Sequence, residues 1–344
     1  MNVKTGEVLA MASYPDYNPQ SFANGISSEE WKSYSENKSY PLLNKAIQSA
    51  YEPGSIFKMV TAIAGLESGN ITLTERINDT GQYIKYGEKR NCWYYTDYHT
   101  GHGPLNVIGA IEKSCNYFFY EMGYRLGGGH NLIVDNEKGL NKLKKYAGKY
   151  GLTSKSGIEL PEADPTFSSI DVVRSSIGQG TNNYTPVQLS RYVTTVANGK
   201  TCYDLTLVDK TVNTVSKKTT TNSAKKKNTL DVSSSTLSAI KTGMKNVVNS
   251  GSLTTLFSKV PVIVAGKTGT AQINANEPNH ALFVSFAPYS NPEISVTVQI
   301  PNGYTSSNAA ELASNVYKYY YDKNSRKKLL NKKVSSPTIG TVHD

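Results

Sequence analysis

Hydrophobic positions crowd first at residues 56–66. After Pro53-Gly54, the run Ile56-Phe57-Lys58-Met59-Val60-Thr61-Ala62-Ile63-Ala64-Gly65-Leu66 is apolar nearly all the way round a helical wheel, the pattern of a helix buried on every side. Pro53-Gly54 sets its start and Gly69 its stop. Helical periodicity returns at 105–112, 117–126, 138–150, 186–198, 237–248 and 307–321. The 186–198 segment opens on Pro186 and is followed by Gly199, and Ser28-Glu29-Glu30-Trp31 is a helix start within an otherwise loop-like stretch. Strand-like runs lie at 6–13, and again at 260–265 leading into 266–272, then 281–287 and 293–300. The short connection 288–292 makes the last two antiparallel.

One strand, many helices and then clustered strands predict an α/β (α+β) fold: an antiparallel sheet flanked by helices, with an inserted all-helical lobe at roughly 70–175. Residues 211–229, rich in Thr, Lys and Asn, read as an exposed insertion without a core of its own. Residues 322–344 read as a flexible basic tail, leaving 1–321 as one domain.

Composition changes this picture little. The 344 residues can bury a substantial core. The net charge of +10 is concentrated in Lys217-Lys218, Lys225-Lys226-Lys227 and Arg326-Lys327-Lys328, short runs that read as solvated loop and tail. No aromatic-plus-basic module points to nucleic acid. No run approaches the roughly 18–20 apolar residues of a membrane span, and no signal peptide precedes the first predicted strand. That strand begins almost at Met1, so the chain reads as lacking an upstream part. Cys92, Cys115 and Cys202 have no CxxC spacing, and the five histidines form no HExxH; both facts argue against a metal site or a disulfide framework.

The candidate chemistry starts on the buried helix. Ser55 and Lys58 are three apart and share a face. Burial disfavours a charged lysine, and a neutral lysine beside a hydroxyl can serve as its base. Other Ser-x-x-Lys matches, such as Ser35/Lys38, Ser223/Lys226 and Ser325/Lys328, lie in polar stretches that offer no rigid seat. Ser114-Cys115-Asn116 breaks two predicted helices and can aim two side chains into a cleft; as a bland alternative it is a helix stop and N-cap. Of three Lys-Thr-Gly matches, Lys267-Thr268-Gly269 alone follows a strand-like run and precedes further strands. A strand edge there can offer backbone N–H groups to a peptide.

These three motifs together are known from serine β-lactamases and penicillin-binding proteins. The longer context is more specific. Tyr51-Glu52-Pro53-Gly54-Ser55-Ile56-Phe57-Lys58 resembles the active-site segment of class B penicillin-binding proteins. So do Pro41-Leu42-Leu43-Asn44-Lys45-Ala46, Ser175-Ser176-Ile177-Gly178-Gln179-Gly180, Tyr184-Thr185-Pro186-Val187-Gln188-Leu189 and Ala265-Gly266-Lys267-Thr268-Gly269-Thr270-Ala271-Gln272, in order. Ile56 stands where that family commonly has Thr, and Lys45 where it commonly has Arg.

The resemblance implies the β-lactamase/transpeptidase-like, penicillin-recognising fold with a five-stranded sheet. It implies a serine-type D,D-transpeptidase that cross-links peptidoglycan stem peptides and is acylated by β-lactams. Catalytic Ser55, Lys58, Ser114 and Asn116 would be joined by substrate-binding Lys267, Thr268, Gly269 and Thr270, with no cofactor and no metal. It further implies an extracytoplasmic address at the bacterial plasma membrane, an anchor and pedestal domain absent from this chain, and a membrane glycosyltransferase as partner. A serine β-lactamase, a β-lactam sensor or a D,D-carboxypeptidase would use the same motifs.

Overall fold

The computed structural model describes residues 1–85, 89–271 and 278–330. Its middle strand, His280–Ala287, is buried at every position. It pairs antiparallel with Ile294–Ile300 on one side, Phe283 opposite Val298, and with Ala265–Ala271 on the other, Phe283 opposite Thr268. Side chains alternate across a strand, so its apolar residues divide between two cores. Leu282, Val284 and Phe286 join a large cluster with Val193 and Val196 of the Pro186–Asn198 helix. Ala281, Phe283 and Ala287 join a smaller one with Ala309, Ala310, Ala313 and Tyr317 of the Ser306–Tyr321 helix. A strand covered on both faces reads as an unbroken apolar run, as this one does. The Pro186–Asn198 helix is closed at both ends as expected, by a Thr185–Gln188 capping box and by Gly199 in the left-handed region.

The Lys58–Glu67 helix crosses the large core, with residues 58–65 all buried, and packs on the Asn116–Leu126 helix. The stretch expected as one helix is divided: Gly54–Phe57 is a 3-10 turn and the α-helix begins at Lys58. Residues three apart eclipse in a 3-10 turn. Lys58 therefore stacks over Ser55, and its backbone N–H donates to the Ser55 carbonyl.

Several expectations are revised. The strand at 6–13 does not form. Met1–Val3 pairs with the sheet edge instead, Val3 N–H donating to the Glu293 carbonyl at 2.9 Å and Ser295 N–H to the Met1 carbonyl at 3.0 Å. The Lys4-Thr5-Gly6 turn, with Gly6 at φ 75°, then leads the chain off the sheet. The central sheet accordingly has three strands among the described residues, not five, with Asn2 bridged to Ile294 at its edge. The lobe at 70–175 is not all helical: its turn-rich first part pairs Ile77–Asp79 with Gly103–Leu105, and Gln82–Tyr83 with Arg90–Asn91. Within 211–229 the chain forms a hairpin, Lys210–Val212 against Thr219–Thr221, exposed at every paired position, while Lys225–Thr229 pairs with Thr201–Asp204. Lys323–Leu330 is a helix with no buried residue, and the rest of the expected tail lies outside the described residues. No helix among the described residues is long and apolar enough to cross a membrane.

Two glycines fix how the Ser55 turn meets the sheet. Gly54 has φ 50°, and a Cβ there would lie 2.5 Å from the Thr270 carbonyl oxygen. A Cβ on Gly269 would lie 2.7 Å from the Pro53 carbonyl oxygen. Turn and strand are thus in backbone contact, which only glycine permits. Gly54→Ala is expected to lower stability by about 2–4 kcal/mol, from left-handed strain plus overpacking. Urea unfolding measures it, and an unchanged midpoint would show that the contact is slack.

Candidate active site

Three chain segments converge on the hydroxyl of Ser114. The Lys58 ammonium is fully buried and donates to the Ser114 carbonyl at 2.7 Å, to Ser114 Oγ at 3.2 Å and to Asn116 Oδ1 at 2.6 Å. The Lys267 ammonium, also fully buried, donates to the same Ser114 Oγ at 3.0 Å, to the Thr268 carbonyl at 3.1 Å and to Thr268 Oγ1 at 3.2 Å. A hydroxyl has two lone pairs and one hydrogen. With both amines protonated, the lone pairs of Ser114 Oγ are taken and its hydrogen points away from both lysines.

Local sequence explains the placement. Ser114 lies between the Val107–Glu112 and Asn116–Leu126 helices at φ 52°, a left-handed conformation that costs a non-glycine residue roughly 1–2 kcal/mol. The indole N–H of Trp93 donates to its carbonyl at 3.1 Å, and its own N–H reaches the Ile111 carbonyl at 3.2 Å. Cys115 caps the following helix, its sulfur accepting from the Phe118 N–H at 3.4 Å, and Asn116 is that helix's first residue. The bland helix-cap reading of this tripeptide is therefore correct for Cys115, while Ser114 and Asn116 also face Lys58.

Ser55 sits half-buried in the 3-10 turn, one eclipsed step below Lys58. Lys267, Thr268, Gly269 and Thr270 lie in the edge strand Ala265–Ala271; among the described strands it pairs with His280–Ala287 alone, leaving its outer edge for a ligand backbone. Alternation puts Lys267 and Gly269 on one face, against the Ser55 turn. All eight candidate residues thus belong to one neighbourhood. Beside it, a cavity of about 390 Å³ is lined in part by Ser114 and Thr268.

Spacing alone did not reveal a second cluster. Asp79, Cys92, His102 and Cys115, ten or more residues apart in sequence, bring their donor atoms within 4.8 Å of one another. His102 Nδ1 lies 2.7 Å from Asp79 Oδ2, the Cys115 thiol donates to the same oxygen at 3.2 Å, and the two sulfurs are 4.0 Å apart. The hydrogen bond shared with Cys115, against the opposing effect of burial, lowers the Cys92 thiol to about 5. Burial works to raise Asp79, but hydrogen bonds from His102, the Gly81 N–H and Cys115 outweigh it and hold the carboxyl at about 2. His102 Nε2 is buried without a hydrogen-bond partner. Two thiols, an imidazole and a carboxylate at this spacing fit a divalent ion of the zinc class. The cysteine and histidine spacing had argued against a metal; folding supplies the proximity that the sequence order conceals. Such an ion would hold the 79–102 segment to Cys115, next to Ser114.

A serine-bearing turn, a lysine-linked serine and a lysine-bearing strand edge, set between a sheet and a helical lobe, are the arrangement of the penicillin-recognising fold. The chain belongs to the penicillin-binding protein transpeptidase domain family, whose family model matches residues 1–318. It is 30% identical over 348 residues to the peptidoglycan D,D-transpeptidase MrdA of Acinetobacter baumannii, covering 92% of this chain and 49% of that protein. The chain spans about half the length of the curated relatives it matches. Pseudomonas aeruginosa PBP2, solved with WCK 5153, superposes with a TM-score of 0.80 at 27% identity, over 94% of this chain and 73% of that one. Penicillin-binding protein A of M. tuberculosis, solved as a ceftriaxone acyl-enzyme, superposes with a TM-score of 0.78 at 25% identity, over 91% and 71%.

Protein exchanged into zinc and then dialysed into metal-free buffer is expected to retain about one zinc per chain by atomic emission. Cys92→Ser should release it and Cys202→Ser should not. Equal retention by both variants would remove the cluster as the binding site.

Proposed function

We propose that this chain is the catalytic domain of a peptidoglycan D,D-transpeptidase. The observation that carries the reading is the Ser114 hydroxyl held between the Lys58 and Lys267 amines, beside the Ser55 turn and the Ala265–Ala271 strand. Lys58 in its neutral form takes the Ser55 proton, and the Lys267 charge on the same hydroxyl favours that neutral form. Ser55 Oγ attacks the penultimate carbonyl of a stem peptide ending in D-Ala-D-Ala. Backbone N–H groups of Ser55 and Thr270 hold the oxyanion. The C–N bond breaks, and the proton passes through Ser114 to the departing D-Ala amine, while Asn116 keeps Lys58 oriented. Lys267, Thr268 and Thr270 bind the terminal carboxylate, with Gly269 allowing the close approach. An amine of a second stem peptide then takes the acyl group, and Ser55 recovers its proton. The ceftriaxone acyl-enzyme of the M. tuberculosis relative supports a β-lactam as a mimic of this donor. We place the domain at the extracytoplasmic face of the plasma membrane, working beside a membrane glycosyltransferase.

The β-lactamase reading needs a carboxylate to activate water on the acyl-enzyme. Glu162 is buried and engaged by the Ser156 N–H and hydroxyl and by the Gln188 amide, and Glu159 is engaged by the Leu207 N–H and the Thr206 hydroxyl. Glu52, three residues before Ser55, is raised to about 6 by desolvation, with Arg174 pulling the other way. It is the carboxylate to watch, and nitrocefin decides: a transpeptidase gives a stoichiometric burst and stops, a β-lactamase turns over.

Fluorescent penicillin is expected to label the wild type about one-to-one and Ser55→Ala not at all. Stoichiometric labelling of that variant would eliminate Ser55 as the nucleophile. Lys267→Ala should slow acylation by roughly 10- to 100-fold, the loss of one charged hydrogen bond, and unchanged stopped-flow kinetics would refute the carboxylate-binding role.

A further inference from the structure

The cavity beside Ser114 and Thr268 has a chemistry that acyl-enzyme formation does not use. One wall is aromatic. Trp93 is fixed by its indole N–H to the Lys113 and Ser114 carbonyls, both at 3.1 Å, and Tyr94 stands edge-on to it with ring centroids 5.5 Å apart. The same cavity is lined by the Glu112 carboxylate. Its Oε2 accepts from the Asn246 amide at 2.9 Å, which fixes the carboxylate, and its Oε1 lies 3.5 Å from the Lys113 ammonium. Glu112 is four-fifths buried and Lys113 half exposed. An anchored carboxylate and an aromatic wall lining one cavity make a seat for an organic cation.

Its position says which cation. On the proposed mechanism, on which this inference rests, Lys267 and Thr268 receive the donor's terminal carboxylate, and Ser114 passes a proton to the leaving amine. The cavity touches Ser114 and Thr268, so it adjoins the end of the cleft that the departing residue vacates. The incoming amine must approach the acyl carbon from the place the leaving amine left, past the same proton relay. We propose that this cavity seats the amine-bearing chain of the acceptor stem peptide, with Glu112 as the counter-charge that recognises its ammonium and Trp93 as the apolar wall for its methylene stem.

The charges order the step. Lys58 and Lys267 converge on Ser114, so an ammonium is repelled there and attracted at Glu112. It docks charged against Glu112 and releases one proton to water as it moves towards Ser114. The neutral nitrogen then bonds to the acyl carbon, the ester bond to Ser55 Oγ breaks, and the second amine proton restores the Ser55 hydroxyl. Lys113 competes for the same carboxylate, so it tempers the affinity.

The test is acceptor selectivity. The enzyme is acylated with benzoyl-D-alanyl-thioglycolate and offered either Nα-acetyl-lysine amide, a long cationic amine, or methoxyamine, which is neutral at pH 7. Transfer and hydrolysis products are separated by chromatography, and penicillin acylation serves as the control. Glu112→Gln keeps the bond to Asn246; it should cut transfer to the lysine amine about tenfold, the loss of one partly buried charge pair, and leave transfer to methoxyamine and penicillin acylation unchanged. Lys113→Met should raise transfer to the lysine amine. The inference is overturned if Glu112→Gln changes both acceptors equally or neither, or if Lys113→Met lowers transfer. A wild-type chain that neither penicillin nor the thioester acylates would instead overturn the transpeptidase reading itself.

Discussion

Two lysine ammonium groups are buried here against a single serine hydroxyl, and the rest of the site follows from how that is tolerated. Removing an ion from water costs several kcal/mol even after relaxation, and two like charges near one oxygen add repulsion. The offset comes from oxygens on two segments: the Ser114 carbonyl and Asn116 amide for Lys58, and the Thr268 carbonyl and hydroxyl for Lys267. Withdrawing either segment would leave a buried charge under-solvated. The turn at 54–57, the break at 114–116 and the strand at 265–271 are therefore held to one another electrostatically as well as by packing.

That arrangement requires a rigid platform, which the two-sided sheet supplies. The middle strand commits alternate residues to separate cores, so it cannot slip by one position without putting Phe283 and Val284 each into the wrong core. Its neighbour Ala265–Ala271 inherits that register, and the glycine contact at Gly54 and Gly269 passes it on to the Ser55 turn. Lys267 meets Ser114 because the register of one buried strand determines where its side chain emerges.

How much of this was legible follows from how local each signal is. The Lys58–Glu67 helix could be read because its apolar surround is written in consecutive residues, and the Lys267 strand because an unbroken apolar run leads into a glycine-bearing motif. The 3-10 turn at 54–57 could not, since its tight winding reflects the approach of Thr270 from far along the chain. The expected strand at 6–13 has the right composition, but the Gly6 turn takes it away from the edge it would have joined. The cluster of Asp79, Cys92, His102 and Cys115 was illegible for the same reason: its proximity is created by the small strand pairs of the lobe, which carry no periodicity of their own.

The cluster also bears on the strain at Ser114. A serine at φ 52° persists only if its surroundings over-determine it. In front, two ammonium groups hold its hydroxyl and carbonyl; behind, the Trp93 indole takes a second lone pair of that carbonyl. One residue on, Cys115 caps a helix through its sulfur and is tied through Asp79 to His102. Trp93 and Cys92 are adjacent in sequence, so the segment that supplies the indole is anchored by the same group of side chains that grips Cys115. The strained residue is thereby clamped from the lobe on one side and from the sheet on the other. On the proposed mechanism the Ser114 hydroxyl relays a proton, and such a clamp serves that role because the cost of its conformation is met in the folded state, before any substrate arrives.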